Sequence, residues 1–432
     1  MVKKVAIIGA GPGGLTLAHY LLRREHKYQI DIYEHRSDPR NIPLNQTRTF
    51  PMSLGDRGLK TLWQIPGLEA EVKAISLETT GSILHQKNGK QRRLDRKKVF
   101  VSIDRNHLTL AILKNLVKQY DQSRLNIYFD CQCQNINIAN KTIKITQNLS
   151  EQPTEFTRNY DLLIGADGAR SVVREAFSQT QDFQVQTNYV PSAYKSLYLP
   201  NPAEILDIKL EPGKVHAWRL NSGISVLLVH QIDKTMNGVI LFPYQNNPIA
   251  ELKTAAQVQQ FFQENFPEVS KILPQSAAEE FAQRPISRVL TVRCNRYHIE
   301  DSVLLIGDAA HAVSPSIGQG CNSTLEDVRI FNEILDKNAD DLKKSLPEYS
   351  SLRVADGHAV KDLSDYSFPT DKKLFAEFII RNSVAKFLHP LFPKKFPPSI
   401  LDAVFDDDIS YSKILLQNQD WISKVKNKNH SL

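Results

Sequence analysis

Three glycines near the start of the chain have the spacing of a phosphate-binding turn. Gly9, Gly11 and Gly14 form a G-x-G-x-x-G motif directly after the β-branched run 5–8. The first glycine of such a motif permits a tight turn, and the second lets a pyrophosphate approach the backbone. The third allows a helix to pack closely on the preceding strand. This spacing predicts a nucleotide site at the end of a buried strand.

The residues that follow have the elements that such a turn requires. Residues 15–24 carry a helical apolar pattern, whose first amides would face the phosphates. A second predicted strand, 29–33, ends at Glu34. A carboxylate at this position accepts hydrogen bonds from ribose hydroxyls. Strand, turn, helix, strand and acid together predict an adenine dinucleotide, and NAD and FAD fit this geometry equally.

Two later segments place an aspartate after a buried strand. Asp167 lies in GADGARSVVR, and Asp308 lies in GDAAHAVSPSIGQGCN. An aspartate at the end of a strand can hold a ribose or ribityl hydroxyl. Gly318 and Gly320, in the second segment, would let backbone amides reach a flat ring or a phosphate.

Composition limits the class of protein. The chain has 432 residues, 41% hydrophobic and 23% charged, which is typical of a globular protein with two or three domains. The net charge of +7 is spread along the chain without a basic tract, so we expect no nucleic-acid partner. The four cysteines lack the spacing of a zinc site, so no metal is predicted and reduced thiols are expected. No apolar run is long enough to span a bilayer, and we expect a soluble, cytoplasmic protein.

The three motifs, in this order, resemble the single-component FAD-dependent aromatic hydroxylases, the group A flavoprotein monooxygenases. The resemblance covers nearly the whole chain. Within that family, segments such as YEHRSDPR and GQGCNSTLEDV are most similar to the kynurenine 3-monooxygenases. The resemblance implies FAD as cofactor, NADPH or NADH as co-substrate, and O₂ with a small aromatic substrate as partners. It also implies hydroxylation through a C4a-hydroperoxyflavin, so that the flavin carries the chemistry and no catalytic side chain is predicted.

The resemblance also implies roles for residues that are far apart in the sequence. Gly9, Gly11, Gly14 and Glu34 would bind the adenosine half of FAD. Asp167 would belong to a motif that serves both FAD and NAD(P)H.

The flavin half would be bound by the other motifs. Arg105 would contact the flavin nucleotide, with Arg48 nearby, and Asp308 would hold ribityl or pyrophosphate oxygens. Cys321 and Asn322 would present main chain to the isoalloxazine ring, beside Gly318 and Gly320. His311 would be part of the loop scaffold.

The resemblance fails at positions that would line the substrate pocket. Ser82 aligns with an arginine that pairs with the substrate carboxylate in the kynurenine enzymes, and serine cannot make that two-pronged contact. The other departures are Ser316, Ile317, Ser367, Thr370 and Ile400. They replace aromatic or polar groups, and we expect a pocket with less charge. The sequence therefore predicts an aromatic substrate other than free kynurenine, while retention of kynurenine through other contacts stays open.

The predicted fold is α/β. A Rossmann-like FAD-binding domain takes residues 1–180 and 285–365, an antiparallel β-sheet substrate domain takes 181–284, and a helical C-terminal segment takes 366–432. Residues 372–396 are amphipathic and basic, and we favour a capping helix over peripheral contact with a membrane. The chain ends without a hydrophobic tail. Nothing in the sequence indicates an oligomeric state.

Three alternatives remain. A flavin-dependent halogenase shares the first motif, although Trp63, Trp218 and Trp421 do not form the W-x-W-x-I-P stretch of such enzymes. A FAD-dependent dehydrogenase or reductase would bind the same cofactor without inserting oxygen. An escort protein would keep the fold without turnover.

Overall fold

The computed structural model describes residues 2–42, 51–86, 89–148, 152–204, 209–369, 371–393 and 396–430. The strands, in chain order, are β1 (Lys3–Ile8), β2 (Tyr28–Tyr33), β3 (Pro51–Leu54), β4 (Leu77–His85), β5 (Gln91–Asp104), β6 (Leu125–Tyr128), β7 (Cys131–Asn137), β8 (Thr142–Gln147), β9 (Thr154–Asn159), β10 (Leu162–Gly165), β11 (Val185–Leu199), β12 (Val215–Arg219), β13 (Ser225–His230), β14 (Met236–Pro243), β15 (Ser287–Cys294), β16 (His298–Ile299) and β17 (Val303–Leu305). The helices are α1 (Pro12–Leu22), α2 (Asp56–Trp63), α3 (Leu68–Lys73), α4 (Arg105–Gln119), α5 (Val172–Phe177), α6 (Ala255–Asn265), α7 (Pro267–Lys271), α8 (Gln275–Gln283), α9 (Asp308–His311), α10 (Gly320–Lys337), α11 (Leu342–Tyr366), α12 (Lys372–Leu388), α13 (Ile400–Ala403), α14 (Tyr411–Gln417) and α15 (Gln419–His430).

The first layer is a sheet whose strands, within the described ranges, follow the order β16-β17-β10-β1-β2-β6. Its pairs are parallel except for β16 with β17. β10 is buried along its whole length, as expected for a parallel strand covered on both faces. Since the carboxyl ends of β1, β10 and β17 lie side by side, the three sequence motifs that follow them meet at one edge. This confirms the predicted Rossmann-like α/β fold.

The second layer is a larger sheet with the order β15-β11-β14-β13-β12-β4-β5-β3. Its pairs are antiparallel except for β12 with β4. The apolar side chains of β13 and β14 pack in one cluster with those of α6–α8. The sheet extends beyond the range 181–284 predicted for the substrate domain, because β3, β4, β5 and β15 also pair into it. Their pairing depends on long-range register, which local patterns do not contain.

The C-terminal residues form helices, as predicted. α12–α15 pack with β5 and α11 around an apolar cluster whose members are Phe100, Val313, Ile317, Ala359, Val360, Leu363, Leu374, Phe378, Ile400, Ala403, Val404, Phe405, Tyr411, Ile414, Trp421, Ile422 and Val425. We call this the C-terminal cluster. Among the described residues, none of the helices combines the length and the apolar character needed to cross a bilayer.

The close packing of α11 generates a prediction at Gly357. A Cβ added there would lie 2.1 Å from the Tyr297 hydroxyl oxygen and 3.0 Å from His311 Cβ. Replacing a helical glycine by alanine ordinarily stabilises by about 1 kcal/mol. Because Tyr297 is completely buried, we expect Gly357→Ala to destabilise instead, by about 1–3 kcal/mol through overpacking.

Thermal unfolding of the purified protein measures this effect. Ser351→Ala, at an exposed position of the same helix, is the matched control and should keep or raise the Tm. A Tm for Gly357→Ala equal to that of the control would show that α11 is not packed as described.

Candidate active site

The three glycines of the first motif differ in what surrounds them. Gly9 has a φ of +106°, and a Cβ there would lie 2.4 Å from the Ala166 carbonyl oxygen. A Cβ on Gly14 would lie 2.2 Å from the Gly9 carbonyl oxygen. These two glycines are therefore required by the turn itself. A Cβ on Gly11 would meet no protein atom within 4 Å, which leaves open space at the beginning of α1, where no side chain caps the first amides.

Glu34 closes the same turn from the end of β2. One of its carboxylate oxygens accepts a hydrogen bond from the Ala10 amide at 2.8 Å, and the other accepts one from the Arg36 amide at 3.0 Å. Each carboxylate oxygen has a further lone pair, so the group can still accept a bond from a ribose hydroxyl.

Asp308, Arg105 and Cys321 converge on one cleft, although they are far apart in the sequence. The Asp308 side chain is accessible to solvent, but much of it is surrounded by protein. This burial raises the pKa of the Asp308 carboxyl group, and the nearby Arg105 partly opposes the rise. Burial likewise raises the pKa of the Cys321 thiol to about 12, and Arg105 again opposes the shift. A carboxylate that is both enclosed and accessible lines an internal space. A Cβ on Gly320 would lie 3.9 Å from an Asp308 carboxylate oxygen.

The turn before α10 carries the other two glycines. Gly318 has a φ of +68°, a left-handed conformation that favours glycine. Gly320 begins the eighteen-residue helix α10, whose N-cap residue Gln319 makes no side-chain capping bond. The first amides of α10 therefore keep the capacity to bind a ligand, and the helix dipole favours an electron-rich one.

The Asn322 side chain has a structural role that the sequence did not indicate. Its amide nitrogen donates to the carbonyl oxygens of Ser53 and Gly318, at 2.8 and 2.9 Å. Its amide oxygen accepts a bond from the Gly55 amide at 2.9 Å. The side chain thus fastens the turn before α10 to the segment between β3 and α2.

Asp167 lies beside the first glycine turn and caps a helix. One carboxylate oxygen accepts bonds from the Val172 and Val173 amides at 2.8 and 3.2 Å. Its other oxygen is buried and has no hydrogen-bond partner among the residues that the structure describes. In the same motif, Arg174 donates to the Ala309 carbonyl oxygen at 3.0 Å, which ties this segment to α9. Burying a carboxylate oxygen without a hydrogen bond costs free energy, and a cofactor hydroxyl that donated to this oxygen would remove that cost.

A network of buried charges lies beneath these turns. Asp327 accepts bonds from the Gly307 amide at 2.8 Å, from His311 Nε2 at 2.7 Å and from Arg353 Nε at 2.7 Å. Burial alone would raise the pKa of Asp327, but His311 and Arg353 outweigh it and lower the pKa to about 2. His311 is fully buried in this network, which agrees with the scaffold role expected for it.

The network extends to α2 and the C-terminal helices. Arg353 also pairs with Glu326 and Asp356, each at 3.0 Å, and Glu326 pairs with Arg57. Arg57 lies over the Tyr411 ring at 4.1 Å and donates to the Ile409 carbonyl oxygen at 2.7 Å. Sequence reasoning missed these partners, because no local pattern links residues so far apart.

The predicted pocket residues fall into two groups. Ile317 and Ile400 both belong to the C-terminal cluster. Ser367 adjoins it, because its carbonyl oxygen accepts a bond from Trp421 Nε1 at 3.3 Å. Ser82 is half-buried on β4, beside Val215, which packs against the same cluster.

Ser316 is the remaining predicted pocket residue whose position the structure describes. Ser316 is exposed and its hydroxyl donates to the Ser364 carbonyl oxygen. Arg48 and Thr370 lie outside the described residues.

These features fit an FAD molecule. The open face of Gly11 admits a pyrophosphate, and Glu34 can accept from a ribose. Asp308, with Arg105 near it, follows β17 at the same edge of the sheet as the glycine turn. The uncapped start of α10 offers main chain to a flat ring.

Comparison with known proteins agrees with this geometry. A family model described as an FAD binding domain matches residues 3–355, so the chain belongs to that family. Kynurenine 3-monooxygenase of Sus scrofa is 29% identical over 429 residues, covering 98% of this chain and 88% of that protein. Violacein synthase of Chromobacterium violaceum is 26% identical over 425 residues, covering 96% of each.

Solved structures share the fold. A tetrameric form of 2-methyl-3-hydroxypyridine-5-carboxylic acid oxygenase has a TM-score of 0.67 at 16% identity, covering 93% of this chain and 96% of that one. PqsL of Pseudomonas aeruginosa, in complex with 2-aminobenzoylacetate, has a TM-score of 0.63 at 20% identity, covering 88% and 100%. The fold and the cofactor cleft thus agree with membership of the FAD binding domain family. Among the curated proteins, the chain is similar to the kynurenine 3-monooxygenases over nearly its whole length.

The open face of Gly11 yields a prediction about cofactor binding. Its φ of −75° and ψ of 177° suit any residue, so Gly11→Ala should fold normally. The added methyl group would occupy the space through which the pyrophosphate approaches, and we expect FAD affinity to fall at least about tenfold. Flavin absorbance per chain after saturation with FAD, together with the circular dichroism spectrum, measures both effects.

Gly14→Ala is the contrasting variant, because its methyl group would clash with the Gly9 carbonyl oxygen. It should lower the yield of folded protein and not only FAD binding. A Gly11→Ala protein that binds FAD as tightly as the wild type would contradict the placement of the pyrophosphate.

The buried network yields a prediction about stability. Arg353→Met removes the cation that Glu326, Asp327 and Asp356 share, and we expect a loss of about 3–5 kcal/mol. Lys344→Met is the matched control on the same helix, since Lys344 is 72% exposed and lies 3.8 Å from Asp341, and exposed pairs contribute little. Chemical unfolding compares the two variants.

The same variant changes the dependence of stability on pH. In the wild type, the contribution of Asp327 is fully present above about pH 3.9, its unfolded pKa. It is lost as the pH falls through its folded pKa of about 2. Without Arg353 the folded pKa rises, so acid unfolding should begin at a higher pH. If Arg353→Met and the wild type begin to unfold at the same acidic pH, the lowering of the Asp327 pKa by Arg353 would be refuted.

Proposed function

We propose that this chain is an NAD(P)H- and O₂-using monooxygenase that hydroxylates an aromatic compound other than free kynurenine. The observation that carries the proposal is the contact between the turn before α10 and the C-terminal cluster. A Cβ on Gly318 would lie 3.7 Å from the Phe405 ring. The Phe405 ring in turn lies 5.2 Å from that of Phe100. Apolar, aromatic side chains therefore adjoin the turn where the resemblance places the flavin ring, and in this proposal they bound the volume that holds the substrate ring.

The side chains around this volume have the character that oxygen transfer to an aromatic ring requires. When bound, FAD supplies the redox chemistry that accepts hydride from NAD(P)H and activates O₂. The protein binds and orients the aromatic ring, and Ile317, Ile400 and Phe405 exclude water from it. Apolar packing positions a flat ring without forming hydrogen bonds to it.

The choice of a substrate other than kynurenine rests on Ser82 and Ile400. Neither side chain can form an ionic contact with an amino-acid group of a ligand. A site that lacks ionic contacts at these two positions has lost part of the discrimination in favour of a ligand whose amino-acid group needs them. Among the relatives, violacein synthase and the PqsL complex with 2-aminobenzoylacetate carry names that point to other compounds, which supports a different aromatic substrate here.

Purified FAD-loaded protein tests the proposal. NADPH and NADH oxidation is followed under air with a panel of aromatic compounds that includes kynurenine, and products are analysed after reaction under ¹⁸O₂. We expect one non-kynurenine aromatic to stimulate oxidation at least about tenfold and to gain one ¹⁸O atom.

The alternatives give different products. Halide-dependent incorporation of bromine would indicate a halogenase, and anaerobic reduction of an alkene would indicate a reductase. Flavin binding without turnover would indicate an escort protein. Any of these results, or a clear preference for kynurenine, would overturn the proposal.

A further inference from the structure

The pairing of β5 with β4 has a bulge where β5 passes the C-terminal cluster. Thr79 pairs with Phe100 and Gly81 pairs with Asp95, so Thr80 alone lies opposite residues 96–99. Bulges of this kind redirect side chains and often lie next to active sites. The bulge is fixed in place, because Lys98 pairs with Asp406 and the Asp95 carbonyl oxygen accepts a bond from Lys386.

The bulge carries a cation, Arg96, that forms no salt bridge within the part of the chain that the structure describes. The Arg96 guanidinium carbon lies 5.0 Å from the centre of the Phe100 ring and 4.7 Å from that of Phe405. Its Nη1 atom is buried and has no hydrogen-bond partner. Burial lowers the pKa of Arg96, and Asp402 only partly compensates. The Asp402 carboxylate instead accepts a bond from the Ser399 hydroxyl at 2.7 Å.

The Arg96 guanidinium lies close to the turn before α10, where the flavin ring is expected to bind. Phe405 contacts both Arg96 and Gly318, so a single aromatic ring separates the guanidinium from the turn before α10. Phe100, Ile317 and Ile400 belong to the same cluster. A buried guanidinium nitrogen without a hydrogen-bond partner is unfavourable, and a bound anion that accepted a bond from it would relieve this cost.

We propose that Arg96 binds an acidic group of the aromatic substrate, so that the substrate class is an aromatic carboxylate. This inference rests on the proposed function and specifies its substrate. A guanidinium matches a carboxylate with two parallel hydrogen bonds, while the neighbouring rings shield the pair from water. Because Ser82 replaces an arginine, the sequence predicted a pocket with less charge. In this proposal the pocket has a positive charge, which Arg96 on β5 supplies.

The test compares each acid with its neutral amide on the FAD-loaded protein. The probes are 2-aminobenzoate with 2-aminobenzamide, and 4-(2-aminophenyl)-4-oxobutanoate with its primary amide. Dissociation constants come from changes in the flavin absorbance spectrum and, independently, from ligand-induced shifts in Tm. We expect at least one acid to bind about tenfold or more tightly than its amide.

Substitutions assign this preference to Arg96. Arg96→Met should weaken acid binding at least about tenfold and change amide binding less than about twofold. Arg96→Lys keeps the positive charge but loses the paired N–H donors of the guanidinium, so it should retain part of the preference for the acid. This variant also tests the role of Arg96 if Arg96→Met folds poorly. Arg92→Met, at an exposed position of the same strand, is the control and should bind both probes like the wild type.

Two results would overturn the inference. One is equal binding, or no binding, of acids and amides by the wild type, and the other is an acid preference that survives in Arg96→Met. Failure of the proposed function has a different signature, namely that no aromatic compound triggers oxygen-dependent NAD(P)H oxidation, whichever residue occupies position 96. Turnover that persists without any acid preference would overturn only the role of Arg96.

Discussion

The buried carboxylate of Asp327 is the interaction on which the site depends. It accepts hydrogen bonds from the Gly307 amide, His311 and Arg353, and so joins the end of β17 to α10 and α11. A buried anion is tolerated only when its partners surround it. The turn that presents Asp308 to the cleft is therefore fixed by charges that never touch the ligand.

The same constraint connects the turn before α10 to the C-terminal cluster. Asp356, a partner of Arg353, accepts a bond from the Ser412 amide at 2.9 Å, and the Tyr411 hydroxyl donates to Gln319 at 2.7 Å. The C-terminal helices are thus held against the turn before α10 by polar contacts as well as by apolar packing. This arrangement places Phe405 and Arg96 beside that turn without requiring either to be part of the Rossmann-like layer.

Sequence reasoning succeeded where the chemistry is local. The glycine turn with Gly11 and the aspartate at Asp308 were predictable, because turn geometry and strand ends leave short signatures. It missed the fastening role of Asn322 and the pairing of Arg353, since those partners are distant in the chain. It also missed Arg96, whose environment depends on a bulge and on helices more than 300 residues further along. The pairing of β3, β4, β5 and β15 into the second sheet was not predictable for the same reason, because strand pairing is a long-range property.

A crystal structure of the FAD-loaded protein tests the central claim most directly. The account predicts the pyrophosphate beside Gly11, the ribityl chain beside Asp308 and Arg105, and the isoalloxazine ring against Gly318 and the start of α10. It further predicts that the bonds of Asp327 are the same with and without the cofactor. A flavin bound elsewhere, or one whose binding requires that these bonds break, would contradict the account.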